Sequence, residues 1–315
     1  MTRITAPGIY PDFPEAAYFA DPCPTPSLTQ SVAKVLLEKS PAHAVLEHPR
    51  LAPPKTEDDP VDKYVAAQAI GNAAHKLILG RGRAIAVADF DSWRGKEPAA
   101  FREKAEAEGK LVILTKHMKR AQDLQREAGP QLTAAGHPEA FIGGHSEVMI
   151  AWKEGDIWFR SLIDWMADPT RIYDLKTSGL SSAPHVVRER PSLDGWDIQA
   201  AMIERGLDVL DPDNVGRRTF NFVAIENEPP YALTVVEISE ADLTMGRKKL
   251  QYAIDVWTEC TIKNVWPRYR AETVISQPRG WTEQAWLNRE IEEDDRRRAS
   301  VQPSPKPFVN VLPAG

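Results

Sequence analysis

Asp174-Leu175-Lys176 is the stretch of this chain whose residue types and spacing are best suited to chemistry. On a β-strand successive side chains alternate between faces, so Asp174 and Lys176 share one face while Tyr173 and Leu175 point into the other layer. A carboxylate fixed beside an ammonium is what metal-assisted phosphodiester hydrolysis needs. The carboxylate would hold the metal. The lysine would orient or help deprotonate an attacking water, or offset charge developing around phosphorus. Asp-x-Lys is also common by chance, and a surface ion pair is the plain alternative.

Asp164 raises the odds. It ends the segment Ser161-Leu162-Ile163-Asp164. A hairpin would set it beside the start of the strand carrying Asp174, at the ~4.8 Å spacing of neighbouring strands. The alternative is that Asp164 merely starts the turn at Asp168-Pro169. Two aspartates with backbone carbonyls and waters make an oxygen cage suited to Mg²⁺ or Mn²⁺ rather than zinc. Three further residues invite attention. His75 follows small residues in Gly71-Asn72-Ala73-Ala74-His75, which would let its helix approach another element closely, although a lone helical histidine is more often structural. Glu147 lies among Val148, Met149 and Ile150 and either faces solvent or is aimed at the site. Gln199 could bond a phosphate or a base edge and by itself means little.

The elements that must position these residues follow from periodicity. His145 to Trp152 alternates as a strand, Lys153-Glu154-Gly155-Asp156 is a tight turn, and Ile157 to Trp165 is a second strand. Arg171 to Lys176 is a third, after the turn at Asp168-Pro169-Thr170. Phe220 to Ile225 and Leu233 to Ile238 are two more. Helices are expected from a Ser27 cap to Ser40-Pro41, from about Asp62 to Gly80, over 97–108 and 114–128, from Asp194 to Leu210, from Ser239 to Lys263 and over 282–298. This order predicts an α/β architecture, a central mixed sheet flanked by helices. Residues 1–26 read as an irregular arm, 27–288 as one catalytic domain, and 289–315 as a charged, then proline-rich and flexible tail.

The chain has 315 residues, a net charge of −6 and only two cysteines, Cys23 and Cys260. A disulfide framework and a four-cysteine zinc or iron–sulfur site are both excluded. No apolar run reaches membrane-spanning length and no signal-peptide segment opens the chain, so the expected compartment is cytoplasmic. The acidic balance weighs slightly against nucleic acid, but a metal-dependent nuclease gathers carboxylates. Three basic runs, His117-Met118-Lys119-Arg120, Arg217-Arg218 and Arg247-Lys248-Lys249, are candidates for phosphate contact or are simply solvated surface.

Taken in order, Gly71-x-x-x-His75, Glu147, Ile163-Asp164, Asp174-x-Lys176-Thr177 and the helix led by Gln199 resemble the exonuclease branch of the PD-(D/E)XK superfamily. They look closest to the phage RecE/exonuclease VIII type. Leu36-Leu37-Glu38-Lys39-Ser40-Pro41-Ala42-His43 and the stretch with Trp257, Cys260, Trp266-Pro267 and Tyr269 are similar to that type's two ends. The resemblance implies a PD-(D/E)XK nuclease core. It implies metal ligation by Asp164, Asp174, the carbonyl of Leu175 and His75, with Lys176 as catalytic lysine. Glu147 would complete the catalytic group, with Gln199 and Thr177 on the phosphate side. It further implies Mg²⁺, with Mn²⁺ as substitute, and degradation of linear double-stranded DNA from 5′ ends to leave 3′ overhangs for recombination. Ring-shaped homo-oligomers and a single-strand annealing partner are implied too. Where the related pattern carries tyrosine four residues after the glutamine, this chain has Ile203, which puts any hydroxyl or stacking role there in doubt. Two other functions stay open: a catalytically degenerate protein that binds DNA ends or a recombination partner, and a related endonuclease.

Overall fold

The computed structural model describes residues 2–54 and 65–301. Residues up to Tyr269 form one compact unit and those from Arg270 a second. In the first, the chain runs β1 (Gly8–Tyr10), α1 (Glu15–Phe19), β2 (Ser27–Leu28), α2 (Gln30–Glu38), α3 (Pro41–Glu47), α4 (Ala66–Leu79), β3 (Ile85–Ala88), α5 (Lys96–Ala107), β4 (Leu111–Leu114) and α6 (Thr115–Ala134). It continues through β5 (His145–Glu154), β6 (Ile157–Asp168), β7 (Arg171–Ser178), α7 (Pro184–Val187), α8 (Arg190–Asp194), α9 (Trp196–Leu210), β8 (Thr219–Glu226), β9 (Leu233–Glu237) and α10 (Glu240–Lys263). In the second unit, α11 (Gly280–Val301) leaves Trp281, Trp286 and Ile291 exposed.

Seven strands make one mixed sheet in the order β1-β5-β6-β7-β8-β9, with β2 also paired to β6. β5, β6 and β7 are an antiparallel meander, as their alternation and turns predict. β7 and β8 are parallel, a pairing that needs a crossover, and α9 supplies it. Val148, Ile150 and Trp152 face α2, α9 and α10 with Ile172, Phe222 and Ala224, while Tyr173, Leu175, Val223 and Ile225 face α4 and α6. The sheet is thus buried on both faces, the α/β arrangement expected.

α9 and α10 pack in close contact. A Cβ placed on Gly246 of α10 would run into the main-chain carbonyl of Asp197 on α9. Ser239 caps α10 by accepting a hydrogen bond from the Asp242 N–H, 3.1 Å.

Several expectations are corrected. The first 26 residues are not an irregular arm: β1 pairs with β5, and Tyr18 and Cys23 are buried against Met149 and Trp158. Ser27 caps no helix. It is a strand residue whose hydroxyl donates to Asp21 (2.8 Å), and Thr29 caps α2 instead. α6 continues through Pro130 to Ala134, held by buried Leu132 and by Gln131, which bonds the Tyr231 carbonyl and the Leu233 N–H, both at 3.0 Å. β3 and β4 form a separate two-stranded parallel sheet that the periodicity reading passes over. The start of the α4 helix expected at Asp62 and the tail beyond Val301 lie outside the described residues.

The tight α9–α10 contact has a measurable consequence. Gly246→Ala should lower unfolding stability by about 1–3 kcal/mol, because the obstructing atom is backbone. Tyr252→Ala, on the exposed face of the same helix, should instead change it by less than about 0.5 kcal/mol. Urea denaturation of both variants measures the contrast.

Candidate active site

The strand register builds the site. β5 pairs with β6 through Ser146↔Trp165 and Val148↔Ile163, so Glu147 stands opposite Asp164. β6 pairs with β7 as far as Trp165↔Tyr173, which leaves Asp164 and Asp174 next to each other where the pairing ends. Three carboxylates on three adjacent strands therefore fall in one row. Glu147 reaches it with a left-handed backbone, φ +51°. That is an unfavourable conformation for a side chain of this type and one that clusters at functional positions.

The pairing of β6 and β7 stops at that row. The Asp164 carboxylate accepts the Leu175 N–H at 2.9 Å and contacts His75 Nε2 at 3.0 Å through the same oxygen, Oδ2. Asp174 is 4 % exposed. Its Oδ1 lies 2.6 Å from the Lys176 ammonium, off the axis of a hydrogen bond, and its Oδ2 accepts from the Gln199 amide. Gln199 Oε1 in turn accepts from Lys176 at 2.9 Å. The lysine also sits 5.4 Å from the centre of the Phe222 ring. Its ammonium is thus held from three sides.

α4 brings His75 in because Gly71 allows it. A Cβ on Gly71 would come within 2.5 Å of the Thr177 hydroxyl on β7. Thr177 packs against α4 and borders a smaller pocket beside Lys176, Ser182 and Trp196, next to the carboxylate row. Ile203 is buried in the core between α9 and the sheet.

The row opens into a cleft of about 720 Å³ whose lining includes Glu15, Lys76, Arg83, Glu147, Asp164, Asp174, Lys176 and Gln199. Glu15 and Arg83 are absent from the sequence reading. Neither carries a local signal: one arrives on the N-terminal segment, the other on the loop after α4. The three basic runs are largely occupied elsewhere. Arg120 pairs with Glu228, Arg218 with Asp208 and Asp211, Arg247 with Glu204 and Glu240, and Lys249 with Asp197.

Charge is balanced unevenly here. Burial and the neighbouring Asp164 raise the Asp174 carboxyl above its ordinary range. Burial also opposes the charge of Asp164, but His75, Lys176 and the Leu175 N–H outweigh it and hold that carboxyl low. Burial and Glu15 raise Glu147. For His75, burial favours the neutral ring, yet Asp164 prevails and lifts it to about 9.

Among the described residues no three His, Cys, Asp or Glu side chains form a ready metal cage. The donor chemistry nonetheless fits a hard dication. Two carboxylates lie side by side at the floor of the cleft, and buried Asp174 Oδ1 has the Lys176 ammonium alone as its close partner among the described residues. His75 is engaged with Asp164 and would have to leave that contact to act as a ligand.

In protein stripped of divalent ions, an NMR titration of the His75 ring should therefore have its midpoint near 9. Asp164→Asn should return it to about 6.5 or below. The folded value exceeds the unfolded one, so the stabilisation from this pair is complete below about 6.5 and is lost as pH rises through about 9. The melting temperature of the stripped protein should fall across that window, and His75→Asn should flatten the fall.

Residues 37–276 match the family model described as a PDDEXK-like domain of unknown function (DUF3799). No curated protein matches the chain. Among solved structures, it is similar to a candidate exonuclease from Eubacterium rectale, at 12% identity over 82% of this chain and 92% of that one, with a TM-score of 0.48. It is also similar to a phage-related exonuclease from Haemophilus somnus 129PT, at 12% identity over 76% of this chain and 96% of that one, with a TM-score of 0.33. No helix among the described residues is long and apolar enough to cross a membrane. The family match spans β5 to β8 and α9, which carry the carboxylate row, Lys176 and Gln199, so the chain belongs to the PDDEXK-like family and its core is a nuclease-type domain.

Proposed function

We propose that the protein is a metal-dependent exodeoxyribonuclease that hydrolyses linear double-stranded DNA from its 5′ ends. The observation that carries this reading is the pair Asp164 and Asp174 on diverging strands, with the Lys176 ammonium fixed beside Asp174 in an open cleft. Asp164 and Asp174, with the Leu175 carbonyl, are the residues that would hold Mg²⁺ or Mn²⁺, and His75 would join them. When bound, the ion would polarise a phosphate oxygen and ease ionisation of water.

The chain's own groups do the rest. Lys176 lines the cleft with its ammonium anchored by Asp174 and Gln199. From there it orients the attacking water and offsets negative charge gathering on the phosphate oxygens. Gln199 fixes both partners through the two ends of its amide, so it positions the lysine. Water adds to phosphorus, the bond to the leaving sugar oxygen breaks, and that oxygen takes up a proton. Glu147, with its carboxyl raised towards the neutral form, faces the row from β5 and is suited to exchange protons with solvent.

The preference for duplex ends, 5′ polarity, 3′ overhangs, a ring-shaped oligomer and an annealing partner are supported by the resemblance to the RecE/exonuclease VIII type. The test is digestion of 5′- and 3′-labelled linear duplex beside a covalently closed circle, with Mg²⁺. Early release of the 5′ label with the circle intact is expected. Lys176→Ala and Asp174→Ala should each lower the rate by about 10²–10⁴-fold. Full digestion by both variants would sink the assignment. Cutting of the circle would make the protein an endonuclease, and end binding with no nucleotide release would make it a degenerate binder.

A further inference from the structure

The cleft has an acidic floor, so a polyanion entering it needs cations at the lip. Lys34, Lys76, Arg81, Arg83 and Lys176 line it. Three of these are engaged. Lys34 lies 3.6 Å from Glu38 and donates to the Asp194 carbonyl at 2.9 Å. Arg81 pairs with Asp12, and Lys176 with Asp174. Lys76 is different: among the described residues its ammonium bonds only the carbonyl oxygen of Gly82, at 2.9 Å. Arg83 is exposed and has no ion pair or side-chain hydrogen bond among the described residues.

We propose that Lys76 and Arg83 form a binding site for a backbone phosphate of the DNA strand held in the cleft. The proposal rests on the nuclease reading above. The two charges are gathered by one short loop. α4 ends at Gly80 in the left-handed conformation, φ +72°, and Gly82 turns the chain again at φ +108°. The Lys76 ammonium grips the carbonyl of Gly82, the residue directly before Arg83. The loop is therefore tied to the helix that carries His75, with Arg83 at its free edge. An ammonium with one donor engaged keeps two others, and a guanidinium presents a planar fork matched to phosphate. Among the described residues neither charge is cancelled by a carboxylate partner, which distinguishes this pair from Arg120, Arg218, Arg247 and Lys249 in the three basic runs.

The experiment measures binding of a fluorescent linear duplex across a salt series, with Ca²⁺ replacing Mg²⁺ to hold off cleavage, and then steady-state digestion with Mg²⁺. Arg83→Ala should weaken binding about 3–10-fold and reduce the slope of log affinity against log salt by about 1. It should raise KM while leaving kcat and the melting temperature close to wild type. Arg83→Lys should recover most of the loss. Arg217→Ala removes another exposed arginine and should change neither affinity nor slope. Unchanged affinity and slope in Arg83→Ala would overturn the site, as would a loss confined to kcat or a loss carried by Arg217→Ala instead. Failure of the wild-type protein to bind duplex DNA at all would overturn the nuclease reading itself, a result distinguishable from the others.

Discussion

The hydrogen bond from the Leu175 N–H to the Asp164 carboxylate, 2.9 Å, governs the geometry of the site. In an antiparallel pair that amide would meet a strand carbonyl. Here β6 and β7 separate after Trp165↔Tyr173, and further back β6 pairs along that edge with β2, through Trp158 and Phe159. One edge of a long strand is thus shared by two partners at its two ends. The gap between them leaves a buried amide that must be satisfied, and a side chain does it. The same carboxylate is thereby held in the gap, facing Asp174, with its remaining capacity directed towards His75.

That solution has an electrostatic cost. Burying two carboxylates side by side is strongly unfavourable unless opposite charge is close. Lys176 and His75 provide it from different elements, the next position on one face of β7 and a helix packed over the strand. The balance explains why the two aspartates are unlike. Asp164, with a cation and an N–H, is held charged, while Asp174, facing Asp164, is pushed towards the neutral form. Gly71 belongs to the same scheme, since only a residue without a side chain lets α4 come close enough to Thr177 for the imidazole to reach.

The meander and its charges were legible because strand alternation and turn chemistry are local. Asp174 and Lys176 share a face by periodicity alone, and the turn at Asp168-Pro169-Thr170 brings Asp164 back to them. Gln199 lies on the helix expected from Asp194 to Leu210, but only the family resemblance singles it out. What stayed hidden depends on long-range docking. Ser27 looks like a helix cap, but its hydroxyl is drawn to buried Asp21. β2 has two residues and no period to read. Leu111-Val112-Ile113-Leu114 was open to recognition as a short buried strand, bounded by Gly109 and Thr115, but its partner Ile85–Ala88 is too short to announce itself. Glu15 and Arg83 reach the cleft only because the elements bearing them fold back over it.

The N-terminal segment, which composition alone makes look dispensable, is a structural part of the sheet. β1 covers the outer edge of β5, and edges left bare in a sheet invite pairing with other chains. Asp21, with no exposed side-chain surface, contacts Arg160 at 3.2 Å and His48 at 3.3 Å, so its removal would strand a guanidinium inside the protein. The family match begins at residue 37, well inside this framework. The folding unit is therefore longer than the segment by which kinship is recognised. A segment cut to the matched residues would leave the outer edge of β5 bare and Arg160 without its carboxylate partner, so the core depends on chain that the family match does not include.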